Sequence, residues 1–440
     1  MHTQRSRLTR LATALAVLAG CCAAQTDIAE RMDKLVQPYA NAQVFMGSVL
    51  VAIHGQVLLS KSYGYADLEW NIPNSPTTRF NIASMTKQFT AAAILLLEDR
   101  GKLRTDDLVK KYFPDAPPPW EKITIYNLLT HTSGITDDAA KYTPGSPDSM
   151  VLLNKPLNFQ PGEQWSYSNL GYLVLGYLVE KVSGQTYAEF LHDNIFKPLG
   201  MSDSGLDSNL TIIPRRASGY WPGANGIENA ERPNLAAGFA AGSLYSTTED
   251  LLRWEEGLFG GKLLTPVSLR KMTTPFRNDY ACGLFAKRVN GHLMVEHNGN
   301  SIGFNADMAY YPLEGLAVIV LTNVNGTVMG NIARALAAIV HGEPVTIPPP
   351  LTEIYLTKEV LASFAGTYQF ADYTVDMSVE GSHLVANFDD GTKILFFAKS
   401  ETRFFDKTWG IEMEFSKDDR GRVIGVTRHE TGEDTRGKKK

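Results

Sequence analysis

From Phe89 to Leu97 the chain reads Phe-Thr-Ala-Ala-Ala-Ile-Leu-Leu-Leu, a run of helix-forming residues with no polar face. A helix apolar on most sides must be covered on most sides, so it predicts a large body built around the segment Ser84 to Arg100. The length of 440 residues agrees. It exceeds the usual size of one domain and implies a large unit plus a smaller one.

Within the large unit, Gly47 to Ser60 and Leu316 to Thr322 are strand-like, and Asn169 to Val182 is a second long helical pattern. Strands from both ends with helices among them predict an α+β body whose sheet is closed by late strands. The pattern changes after His341-Gly342-Glu343-Pro344 and Pro348-Pro349-Pro350, a proline-rich linker. Beyond it, Tyr373 to Val379 alternates with period two, and Asp390-Gly391 and Asp419-Arg420-Gly421 punctuate further alternating runs. This reads as a small antiparallel β barrel or sandwich. The expected organisation is a leader over 1–24, a large domain over 27–342, a linker over 343–352 and a small all-β domain over 353–440. The closing Arg436-Gly437-Lys438-Lys439-Lys440 reads as a solvated tail. No internal repeat, low-complexity block or heptad pattern is evident.

Arg5, Arg7 and Arg10, followed by the apolar run from Leu11 to Gly20 and then small residues, have the form of an export signal. Two cleavage sites compete. Ala23-Ala24 suits a cut before Gln25, whereas Leu18-Ala19-Gly20-Cys21 resembles a bacterial lipoprotein box, ending the signal at 20 and leaving Cys21 to carry a lipid. Either way a periplasmic location is expected. Cys282 alone lies in the body of the chain, so a disulfide framework there is excluded. With Lys+Arg 42 against Asp+Glu 47, the net charge of -5 is too mild and mixed for a nucleic-acid partner.

Three groups of residues can do chemistry. Ser84-Met85-Thr86-Lys87 places a hydroxyl and an amine on one helical face, and a lysine made less basic by burial can activate a serine. At a helix N-terminus, the Ser84 backbone N–H also points at developing negative charge. In Tyr167-Ser168-Asn169 the tyrosine can shuttle a proton and Asn169 can orient Lys87 or a substrate amide; equally, Ser168 or Asn169 can simply cap the following helix. Tyr39-Ala40-Asn41 shows that Tyr-x-Asn alone says little. His297-Asn298-Gly299-Asn300 lies between strand-like His292 to Val295, which follows an Asn290-Gly291 turn, and Phe304 to Tyr311. There His297 can meet a substrate carboxylate, Gly299 admits close backbone approach, and the Asn300 N–H can complete an oxyanion hole.

Competing arrangements exist. Ser268-Leu269-Arg270-Lys271 repeats Ser-x-x-Lys, but in a short polar segment between Pro266 and Pro275, where a surface role is expected. Gly299-Asn300-Ser301-Ile302-Gly303 fits a Gly-x-Ser-x-Gly nucleophile elbow, yet a strand rather than a helix is predicted after it. His131 with Asp137 or Asp138 is a conceivable triad. The histidines are scattered along the sequence, without the close pairing of a zinc motif, so no metal or cofactor is indicated.

In this order and at these separations, the three groups resemble the serine β-lactamase and penicillin-binding protein superfamily, specifically its class C-like branch with D-peptidases and esterases. Leu128-Leu129-Thr130-His131-Thr132-Ser133-Gly134-Ile135, Pro161-Gly162-Glu163, Phe196-Lys197-Pro198-Leu199-Gly200-Met201 and Gly242-Ser243-Leu244-Tyr245-Ser246-Thr247 strengthen the likeness, which spans roughly residues 30 to 340. The resemblance implies an antiparallel sheet flanked by helices, a helical lobe with the site between them, and an acyl-enzyme on Ser84. The small β domain also resembles an appendage found in some members. One departure stands out: the β-lactamase pattern has Lys where this chain has His297. A fixed cation is thereby lost or made pH-dependent, which favours D-amino-acid peptides, amides or small esters over β-lactams. Two alternatives remain open: a class C-like β-lactamase, and a slowly deacylating sensor of penicillin or cell-wall fragments.

Overall fold

The unbroken apolar runs become the middle strands of one sheet. A computed structural model describes residues 27–137, 155–223, 226–326, 328–347, 353–388, 392–430 and 433–440. The leader with Cys21, Asp138, Pro348 to Pro350 and the Asp390-Gly391 turn lie outside the described residues. The sheet has six strands: β1 (Gly47–Ile53), β2 (Gln56–Tyr63), β3 (Phe285–Val289), β4 (His292–Ser301), β5 (Phe304–Tyr311) and β6 (Leu316–Thr322). Their order is β3-β4-β5-β6-β1-β2, antiparallel throughout, so the first hairpin docks on the last strand with Gly47 opposite Thr322. Every residue of β6 is buried, as a strand covered on both faces requires.

The strand-like stretch Gly47 to Ser60 is a hairpin, turning at His54 and Gly55, whose φ values of 47° and 76° are the left-handed pair that tight hairpins need. The segment around His297, which by sequence lies between two strand-like runs, is itself strand. β4 continues to Ser301, pairing His297 with Met308 and Gly299 with Ala306, and turns only at Ile302-Gly303.

Among the described residues the longer helices are α1 (27–41), α2 (Thr86–Asp99), α3 (Asn169–Ser183), α4 (Leu235–Gly242), α5 (Thr248–Phe259), α6 (Pro266–Thr273) and α7 (Val328–His341). On one face of the sheet, Ile332 and Leu336 of α7 join Met32 and Leu35 of α1 over Val49, Val51, Val318 and Val320. On the other face, Leu50, Met308, Ile319 and Leu321 meet a larger core built round α2, α3 and α5. All residues of α2 from Thr86 to Leu97 are buried. Each such leucine is worth about 1.5–3 kcal/mol relative to exposure, so α2 anchors the helical lobe. At its N-terminus α3 is capped by Ser168, which accepts from the Gly171 N–H, and it stops at Gly184 with φ 75°.

After the linker, eight strands from Gly366–Gln369 to Glu433–Lys439 close into a barrel. Its core of Phe364, Tyr368, Leu384, Phe396, Phe404 and Phe415 is separate from the other two. The closing basic residues are not a tail. Lys439 pairs with Tyr368 and Lys438 with Gln369, sealing the barrel, while Gly437 lies so close to Phe370 that a Cβ there would sit 2.8 Å from its ring. The lysines suggested a tail because the outward residues of this last strand are all charged or small.

Candidate active site

Ser84 stands where a short strand, Phe80–Asn81, passes through a single 3-10 turn, Ala83–Met85, into α2. Ala83 holds φ 46°, a left-handed conformation costly for a residue with a Cβ, and its N–H is pinned by Asn81 Oδ1 at 3.0 Å. The turn leaves Ser84 partly exposed at the head of an otherwise buried helix. One helical step on, Lys87 is 0 % exposed, with Nζ 3.1 Å from Ser84 Oγ, 2.8 Å from Asn169 Oδ1 and 2.7 Å from the Ala241 carbonyl.

A neutral amine has two N–H donors and one lone pair. As the ammonium, Lys87 donates to all three oxygens; as the neutral amine it keeps its two N–H bonds to Asn169 and Ala241 and turns the lone pair to Ser84 Oγ. Burial lowers the Lys87 pKa to about 7, opposed by the nearby charge of Asp137. The Ala241 carbonyl is available because it lies in the last turn of α4, which ends at Gly242. The neighbouring Ala240 carbonyl accepts from Thr90 Oγ1 at 2.6 Å.

Tyr167, just before the α3 cap, has the Ser84 hydroxyl as a hydrogen-bond partner, and burial raises its phenol pKa well above the usual value. Lys87 Nζ lies 4.7 Å from its ring centre. Asn169 is held in turn: its Nδ2 donates to Asp137 Oδ2 at 3.1 Å, while Asp137 Oδ1 accepts from the Leu170 N–H at 3.1 Å. The carboxylate therefore serves the α3 N-terminus and the lysine together.

His297 is 1 % exposed, and its hydrogen bonds define its state. His131 Nδ1 accepts from the Ser168 N–H at 3.1 Å, so its proton is on Nε2, 3.1 Å from Tyr280 Oη. Tyr280 then donates to His297 Nε2 at 3.3 Å, and His297 Nδ1 donates to the Asn298 carbonyl at 2.6 Å. Both histidines are neutral in this chain. Burial, with Lys87 nearby, lowers the His297 pKa to about 3. The position carries no cation at neutral pH.

Gly299 is where the sheet meets the nucleophile. A Cβ there would lie 2.2 Å from the Ile82 carbonyl oxygen and 3.1 Å from Ala83 Cβ. Strand β3 pairs with β4 only from His292 to Glu296, so among the described residues the stretch from His297 to Asn300 is unpaired along its β3 edge.

The competing arrangements do not assemble. Ser301 ends a strand and is followed by a turn and β5, not a helix, so it forms no elbow. Ser268 is buried on α6, where it donates to Asp99 at 2.6 Å while Lys271 pairs with Glu98 at 2.6 Å; this copy fastens α6 to the end of α2. It is a buried fastening rather than the expected surface feature. Asp137 faces α3 rather than His131, whose nitrogens are taken by Ser168 and Tyr280. Tyr280, Ala241 and the strained Ala83 were not legible in the sequence: a lone tyrosine, a main-chain carbonyl and a backbone angle carry no motif.

Comparison with known proteins agrees with this geometry. The family model described as Beta-lactamase matches residues 32–342. Penicillin-binding protein 4* of Bacillus subtilis (strain 168) is 28% identical over 424 residues, covering 88% of this chain and 93% of that protein. The octameric penicillin-binding protein homologue from Pyrococcus abyssi shares the fold with a TM-score of 0.66 at 23% identity, over 93% of this chain and 99% of that one. The D-amino acid amidase from Ochrobactrum anthropi SV3, complexed with D-phenylalanine, superposes with a TM-score of 0.64 at 23% identity, over 72% of this chain and 99% of its own. With the family model covering the whole of the sheet and helical lobe, this chain belongs to the β-lactamase family, within the serine hydrolase superfamily that includes the penicillin-binding proteins.

Proposed function

We propose that this protein is an exported acyl-transferring hydrolase of D-amino-acid-containing peptides, amides or small carboxylic esters, working through an acyl-enzyme on Ser84. One observation carries the reading: a fully buried Lys87, its pKa lowered to about 7, has its Nζ 3.1 Å from the Ser84 hydroxyl. Lys87 takes the Ser84 proton as Oγ bonds to the substrate carbonyl carbon, and the carbonyl π pair moves to oxygen. The Ser84 and Asn300 N–H groups hold that oxyanion. On collapse the leaving amine or alcohol departs with a proton relayed by Tyr167, and water repeats the sequence to release the acid. Asn169 and Asp137 set the orientation and basicity of the lysine.

The uncharged His297 supports the substrate ranking. A β-lactam presents a carboxylate that a fixed cation at this position would hold, and here the imidazole is neutral and closed off by Tyr280. The likeness to a D-amino acid amidase adds support in the same direction. The leader supports a periplasmic location and offers two processing sites, after Ala24 or before a lipidated Cys21; incorporation of labelled fatty acid into wild type but not Cys21→Ser distinguishes the second from the first.

Wild type and Ser84→Ala are to be compared on a chromogenic short-chain ester, a D-alanyl peptide and a chromogenic cephalosporin. Turnover of ester or peptide that falls by about 10³-fold or more in Ser84→Ala is expected, with little cephalosporin hydrolysis. Rapid cephalosporin hydrolysis overturns the substrate ranking, and turnover that survives Ser84→Ala overturns the nucleophile.

A further inference from the structure

The histidines that give no metal motif along the sequence are drawn together by the fold at the far end of the sheet. His292 opens β4, Glu314 lies in the turn between β5 and β6, and His341 closes α7. One ligand atom from each lies within 4.8 Å of the others. His292 Nδ1 is 2.7 Å from Glu314 Oε1, and the two imidazoles stack with centroids 3.7 Å apart. Glu343, first residue of the linker, brings Oε1 to 3.9 Å from His292 Nε2 and is steadied by Asn290 Nδ2 at 2.9 Å.

We propose that His292, Glu314 and His341 form a binding site for a zinc-class divalent metal ion, with water completing its coordination. Two independent observations support it beyond proximity. Glu314 Oε2 and His341 Nε2 are both buried and, among the described residues, have no hydrogen-bond partner. Two such atoms on adjacent groups have a desolvation cost that a shared cation removes. The donor set is also selective: two imidazoles with a carboxylate suit zinc and its first-row neighbours, whereas calcium and magnesium take oxygen alone.

Zinc bonds of about 2.0–2.2 Å place ligand atoms about 3.3 Å apart, so the group needs only side-chain rotation, chiefly a splaying of the stacked rings. The ion's role is structural. Along β4, His292 is about 26 Å from Asn300, too far to touch an acyl group at Ser84. The metal instead fastens the end of α7 to the sheet.

The test uses the full chain, stripped with a chelator and dialysed, then titrated with Zn²⁺ and separately with Co²⁺. One zinc bound per chain at micromolar or tighter affinity is expected, with a rise in Tm and the intense visible absorption of four-coordinate cobalt. His341→Gln and Glu314→Gln are each expected to weaken binding by about 10-fold or more, and the pair His292→Gln with His341→Gln to abolish it. Ester hydrolysis, unchanged in these variants, reports that the chain remains folded. Absence of stoichiometric binding, equal binding by the double variant, or zinc affinity unaltered in Glu314→Gln overturns the site.

Discussion

A lysine kept out of water is a base whose strength depends on the few charges it can still feel. For Lys87 the main one is Asp137, which favours the ammonium form and so raises a pKa that burial has lowered to about 7. Only the neutral amine can accept the Ser84 proton. The rate therefore falls as pH drops through about 7, and kcat/KM for an uncharged ester is expected to show an acid limb there. Asp137→Asn removes the charge that supports the ammonium, so the limb is expected at lower pH; a limb that stays in place shows that another group governs it. Tyr280→Phe tests the chain through the two histidines. It leaves His131 Nε2–H and His297 Nε2 buried without their partner, at about 1–3 kcal/mol, and a lowered Tm in thermal melts is the expected reading. Ser84, Lys87, Tyr167 and Asn169 were legible because each belongs to a short spacing that a helix or its cap converts into one geometry. Tyr280 was not, since its meaning arises only when two distant histidines arrive on either side.

Elements act here through how closely they approach one another. Strand β4 lies against the turn bearing Ser84 because Gly299 has no side chain, and Gly299→Ala places a Cβ within 2.2 Å of a main-chain oxygen that cannot swing aside. The strand has to retreat. A loss of about 10²-fold in kcat/KM is expected, with near-normal circular dichroism, because misplacement by an ångström is enough to cost that much. Ser268→Ala is the contrasting case. It removes a hydrogen bond between α6 and the end of α2, so a loss of about 1 kcal/mol in chemical denaturation and no change in turnover are expected. The helices and the central strands could be read from their apolar periodicity. The reach of β4 could not: His297-Asn298-Gly299-Asn300 is polar, and strand pairing with β5 overrides what the residues prefer alone.

At the scale of the molecule, the barrel has a core that shares no residue with those on either side of the sheet. Calorimetry is expected to resolve two unfolding transitions, and a covalent acyl group on Ser84 is expected to shift only one of them. A single transition that shifts as a whole shows that the two units unfold together. The split was legible from the prolines and the change to period-two alternation. The barrel's closure was not, because its seam is made by the lysine-rich residues at the very end. The pairing of β1 with β6 has a consequence in time. A ribosome delivers Gly47 to Ile53 early and Leu316 to Thr322 late, so the first hairpin emerges with its apolar edge bare and must wait for most of the chain before its neighbour exists. During that interval it is a sticky strand in search of any partner, and the burden of preventing a wrong match falls on whatever escorts the nascent chain.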